Sequence, residues 1–210
     1  MGAPADAPAG TPVQTGRHPV WDPVVKLSHW FIALVVLANT ALTEGGSTLH
    51  VAVGWLGMAL LLMRLVWGLI GPGPARLSAF PPNPRAALSH IARLAAGRAR
   101  DYPSHNPAGG LMIWTLWAAL AVVIVTGLVM TDGRSPLQMA EDAAVIETGD
   151  WTTLGSDDEE ERSAEWVQDV HETAANLMLL LALIHVGGVV VESLLQRRNL
   201  VLPMLPGRRR

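Results

Sequence analysis

Cysteine is absent from all 210 residues. That removes disulfides, thiolate-held zinc, iron–sulfur clusters and covalently attached c-type haem from the chemistry open to the chain. Any metal must be held by His, Met or carboxylate. Charge is scarce too: Asp, Glu, Lys and Arg make up 16% of the residues and apolar types 50%, against about 25% charged in soluble domains. The shortfall points to a membrane chain or a very apolar core, and one domain is expected at this length. A Gly-rich phosphate loop and an internal repeat are also lacking, and a net charge of −3 argues against nucleic acid as a partner.

Four stretches lack charge altogether or nearly so. Leu27–Thr43 has none; Gly45–Met63 has none, and after Arg64 the apolar run resumes to Ile70. Leu111–Thr131 is the apolar part of the uncharged stretch between Asp101 and Asp132, and Thr173–Val191 lies between Glu172 and Glu192. A membrane-crossing helix needs about 20 mostly apolar residues, with a range of roughly 17–25, and all four fit. A soluble bundle is the alternative, but its helices would show a polar face. The sequence therefore predicts an all-α membrane protein, a bundle of four transmembrane helices spanning about 27–43, 49–70, 111–131 and 171–191. Residues 1–16, rich in Ala, Pro and Gly, read as a disordered tail. They lack the basic-then-apolar order of a signal peptide, so the first span is expected to bring the chain into the membrane. Residues 17–205 form the domain and 206–210 a basic tail.

The charges that remain are sorted by sign. Gly71–Gly110 carries five arginines against Asp101, and the tail from Glu192 carries five against that one acid. Residues 132–170 hold twelve acids against Arg134 and Arg162. Excess Lys and Arg mark cytoplasmic segments, which puts both termini and the middle segment inside and the acidic loop outside. Trp21, Trp30, Trp67, Trp114 and Trp117 cluster near the expected interfaces, where indoles tend to sit.

Seven histidines remain to be explained. His18, His90 and His105 fall in the cytoplasmic segments; His29, His50, His171 and His185 lie in or at the ends of spans. Ionisable groups inside a bilayer are costly and are functional candidates by default. His171 and His185 are fourteen positions apart on the last helix. That is about 21 Å of rise and within about 40° of a whole number of turns, so both leave one face at opposite depths. His29, at the inner end of the first helix, matches His185 in depth; His50, at the outer end of the second, matches His171. Two bis-histidine pairs, one per leaflet, are what two stacked b-type haems require, and a bundle core is a usual place for them. The third span has no His and is expected to scaffold. Gly54 and Gly57, on the face of His50, leave room for a macrocycle or for close helix packing. Arg64, fourteen residues after His50, shares its face at the inner depth; it is placed to pair with a haem propionate, or to snorkel at the interface.

These stretches resemble the bacterial cytochrome b561 / nickel–iron hydrogenase b-type cytochrome family. The likeness is carried by Val20-Trp-Asp-Pro-Val-Val-Lys-Leu-Ser-His-Trp30, Leu49-His-Val-Ala-Val-Gly-Trp-Leu-Gly57, Arg64-Leu-Val-Trp-Gly68, His105-Asn-Pro-Ala-Gly-Gly110 and the His171…His185 helix, over roughly residues 18–205. The resemblance implies a di-haem, multi-pass protein of the bacterial inner membrane, with its ligands on the first, second and fourth helices. It implies electron transfer between the membrane quinone pool and a partner, here expected to be a periplasmic redox protein such as a c-type cytochrome or a hydrogenase. The quinone is expected near the inner haem, where Arg64, His90 and His105 are the polar groups able to approach it; His90 and His105 fit equally well as ordinary loop residues. The long outer segment 132–170, with Trp151 and the run Asp157–Glu161, departs from small members of the family and is expected to steer a positively charged partner. Two other readings stand beside this one. One is a self-contained superoxide:quinone oxidoreductase, which a net charge of −10 on the outer segment opposes because superoxide is an anion. The other is a haem-free anchor or transporter whose histidines serve protons or a divalent metal. A homo-oligomer is compatible with all three.

Overall fold

In the computed structural model the described residues are 22–98, 100, 102, 105–147 and 158–205. The expected tails 1–16 and 206–210, His18, Trp151 and Asp157 lie outside them. The described chain is helical. It opens with α1 (Pro23–Ala41), α2 (Thr48–Ile70) and α3 (Pro84–Ala95), followed by α4 (Pro107–Met130), α5 (Pro136–Glu147) and α6 (Asp158–Leu195). Short 3₁₀ turns occupy Gly73–Ala75, Leu77–Ala79 and Leu202–Met204. Four helices, Pro23–Ala41, Thr48–Ile70, Pro107–Met130 and the Glu165–Leu195 part of α6, are long and apolar enough to cross a membrane.

Helix starts are written in short polar motifs. Asp22 caps α1, its side chain accepting from the amides of Val24 (2.9 Å) and Val25 (3.2 Å), with Pro23 fitted to the first turn. Asn106 caps α4 in the same way, accepting from Gly109 N at 2.7 Å ahead of Pro107. These caps extend α1 and α4 four residues upstream of the expected 27 and 111. The larger difference is in the acidic segment: residues 136–147 are helical, and α6 begins at Asp158 rather than near His171. No Gly or Pro then interrupts the chain until Gly187, so the helix runs unbroken through the predicted boundary.

α1 packs against α2 and α4 against α6; α2 meets α4 between these pairs, α3 rests on α4, and α5 leans back on α2. The buried core sits at mid-depth, where Leu61, Ala119, Leu120 and Met178 meet Ile32, Val36, Leu65 and Trp117. Outward-facing side chains are apolar as well: Leu34, Leu69, Leu183 and Leu194 are all exposed. An outer surface of leucine is stable only against lipid.

One end of the bundle is basic, comprising the start of α1, residues 71–106 and the end of α6; the other carries α5 and the start of α6. Trp30 ties the chain's tail to the basic end, its Nε1 donating to Met204 O at 2.9 Å.

Candidate functional site

The four intramembrane histidines come together in twos. The rings of His29 (α1) and His185 (α6) lie 6.3 Å apart between centres at the basic end, and those of His50 (α2) and His171 (α6) lie 6.2 Å apart at the other. These separations lie toward the long end of ring–ring contact, about 4.5–7 Å between centres. Two imidazole–metal bonds of about 2.0–2.1 Å laid end to end, with the ring radii added, span about 6 Å between ring centres. Each pair is therefore spaced widely enough for one metal between its rings. Among the described residues, no three His, Asp or Glu side chains converge as a bare-ion site does.

The acid-end pair is also oriented. Thr43 donates its only proton to Asn39, backbone O at 2.6 Å or side-chain Oδ1 at 3.0 Å, and its Oγ1 lies 3.1 Å from His50 Nδ1. Thr126 donates to Val122 O at 2.8 Å, and its Oγ1 lies 2.9 Å from His171 Nδ1. With the threonine proton given to these carbonyls, each hydroxyl accepts from the imidazole, a pairing in which Nδ1 carries the hydrogen and the Nε2 lone pair stays bare. α4, which lacks histidine, thus holds the His171 ring in place. Gly127 completes the contact: a Cβ there would come within 3.4 Å of His171 Cε1.

The two glycines on the face of His50 divide between their alternatives. A Cβ at Gly54 would meet nothing within 4 Å, so open space lies beside His50; a Cβ at Gly57 would meet Val35 Cγ1 at 3.2 Å, so Gly57 serves the α1–α2 packing.

Arg64 does not snorkel. It is only 4% exposed, its Nη2 donates to Ala75 O at 3.2 Å and its guanidinium lies 5.1 Å from the Trp117 ring centre. Nη1 is buried and, among the described residues, has no hydrogen-bond partner; the same holds for His29 Nδ1 and Trp55 Nε1. Buried polar atoms are almost always bonded, so orphans on α1 and α2 beside paired histidines fit a polar prosthetic group that belongs among them.

The segment leading into α4 decides between the two readings of His90 and His105 as loop residues or as buried polar groups at the inner end. His90 is on α3 and only 2% exposed. The His105 ring lies 4.7 Å from that of Phe80. Burial pushes His105 down to about 4, and the positive charges of Arg64 and His185 act in the same direction. His105 therefore stands beside the basic-end pair. Glu192, seven residues after His185 on α6, accepts from Asn106 Nδ2 at 2.6 Å and from Gln196 Nε2 at 2.8 Å. Its Oε1 lies 3.7 Å from His90 Nε2.

No curated protein and no solved structure matched the chain. A model of one family, described as prokaryotic cytochrome b561, matches residues 20–207. With four apolar helices and two facing histidine pairs already in place, the chain belongs to the prokaryotic cytochrome b561 family, a bacterial multi-pass membrane cytochrome of the b type that transfers electrons.

Proposed function

We propose that the protein holds two haems b, one between His29 and His185 and one between His50 and His171, and connects a membrane quinone at its basic end with a soluble redox protein at its acidic end. The observation that carries this reading is the pair of ring separations, 6.3 and 6.2 Å, at opposite ends of one bundle. Held there by two histidines each, the haems would supply one-electron iron couples suited to electron transfer rather than to binding of small ligands. The protein's own contribution is to fix the ligands: α6 supplies one His to each pair, α1 and α2 supply the others, and Thr43 and Thr126 set the tautomers at the acidic end. Arg64 offers a buried guanidinium with an unused N–H to a propionate at the basic end. By its excess of Lys and Arg the basic end faces the cytoplasm of the inner membrane, and the acidic segment faces a partner with positive surface charge.

The test is a visible spectrum followed by single replacements. Reduced membranes should show two b-type components. His29→Ala and His185→Ala should each remove the same component, and His50→Ala and His171→Ala the other. If His29→Ala and His171→Ala erased one component together while sparing the second, the pairing would be wrong.

A further inference from the structure

We propose that Glu192 and His90 form the proton-exchange pair of the quinone site at the basic end. The assignment rests on the quinone reading above and goes beyond it by naming the groups that handle the protons.

Its first support is position. His171, Met178, His185 and Glu192 recur every seven residues on α6, and seven steps of about 100° return within about 20° of the starting face. Glu192 thus continues the stripe that carries both α6 histidines, about 10 Å beyond His185 toward the basic surface. The second support is burial without neutralisation. The Glu192 side chain is 15% exposed, and its two recorded donors, Asn106 and Gln196, are uncharged amides. They hold a carboxylate in place without fixing its charge as an arginine would. The third is His90 itself: a buried imidazole whose Nε2 has no hydrogen-bond partner among the described residues, 3.7 Å from Glu192 Oε1. That gap is closed by a small side-chain rotation or one water. From the elements around it, His90 is faced by Glu192 of α6 and by Tyr102, whose ring centre is 5.4 Å away; α4 contributes only the uncharged Asn106 cap and has no titratable side chain of its own.

A clamp between α3, α4 and α6 needs neither a carboxylate nor a free imidazole nitrogen. A proton relay needs both. Oxidation of a quinol to a quinone releases two electrons and two protons. The haem that His29 and His185 would hold would supply the one-electron acceptor. Each O–H proton passes to the Glu192 carboxylate, then from Glu192 Oε1 to the lone pair on His90 Nε2, and on to water at the basic end. Reduction of a quinone runs the same transfers in reverse.

The experiment uses the haem-loaded cytochrome, a short-chain benzoquinol as donor, and Glu192→Gln, His90→Gln and Glu192→Asp. All three variants should keep both haem components and be fully reduced by dithionite, which delivers electrons without using the site. Quinol-driven reduction should slow about a hundredfold in the two Gln variants, the scale of losing one acid–base group, and should lose its dependence on pH between about 6 and 8. Glu192→Asp should recover most of the rate. In redox-difference infrared spectra the wild type should show a carboxyl protonation band that Glu192→Gln abolishes. Wild-type rates and pH profile in both Gln variants, or no such band in the wild type, overturn the assignment. A wild type that dithionite reduces and quinol does not would overturn the quinone reading, and this pair with it. If His90→Gln loses its haems, the comparison of Glu192→Gln with Glu192→Asp decides alone.

Discussion

Thr126 has one proton to give, and the carbonyl of Val122 takes it. What remains for His171 is an acceptor, which settles which ring nitrogen stays open. Thr126→Val keeps the shape and removes the acceptor, so the acid-end haem should be held 10–100-fold more weakly, while Thr126→Ser stays near wild type; haem release to an excess of apo-acceptor protein measures both. His105 has a different consequence. It is folded in with its pKa at about 4, against about 6.5 in the unfolded chain. Between those values the unfolded chain binds the extra proton, so the stability it favours is full above about pH 6.5 and is lost as pH falls toward 4. The loss is up to roughly 3 kcal/mol at 1.36 kcal/mol per unit. Thermal melting in detergent should show this slope, and His105→Gln should flatten it. Thr126 did not stand out in the sequence, and the burial of His105 was not legible there. A threonine in an apolar run and a histidine before a helix are marked only by what packs against them. The four paired histidines were legible because spans devoid of charge make any ionisable group conspicuous.

At the scale of the element, the apolar lengths predicted four crossings, and among the described residues four helices are able to make them. The ends were less legible. Asp22-Pro23 and Asn106-Pro107 are capping signals that an uncharged-run criterion passes over, because Asp22 is itself charged and Asn106 sits upstream of the apolar residues. The start of α6 was hidden for the opposite reason: a run of acids resembles a solvated linker, yet the same acids suit the first turn of a helix. Packing adds a constraint that the spacing of Gly57 left open. Its missing Cβ lets Val35 approach, so Gly57→Leu should force α1 and α2 apart and cost about 1–3 kcal/mol, whereas Gly54→Ala, which meets no protein atom within 4 Å, should leave apo-protein melting unchanged and weaken haem uptake. Parallel melts and haem titrations separate the two.

For the molecule as a whole, charge is sorted along the sequence, with five arginines in residues 71–110 and twelve acids in residues 132–170. Replacing Asp157, Asp158, Glu159, Glu160 and Glu161 by their amides should slow electron exchange with a basic redox partner, mainly through the association rate. The difference should fade above about 0.15 M salt, where the Debye length is about 8 Å; an unchanged rate and salt slope would leave the acids as a solvated helix start. α6 joins that surface to the opposite one as a single rod of 38 residues. Because His171 and His185 are threaded on the same rod, their spacing and their bearing cannot be adjusted separately. One residue inserted at Met178 would swing the lower ligand by about 100° while lengthening the rod by only 1.5 Å, enough to lose a haem. Seven inserted residues would restore the bearing but overshoot the depth by about 10 Å. The helix therefore works as a screw gauge: the gap between His171 and His185 is set by residue count, and a thicker or thinner bilayer can change the tilt of the protein but not that gap.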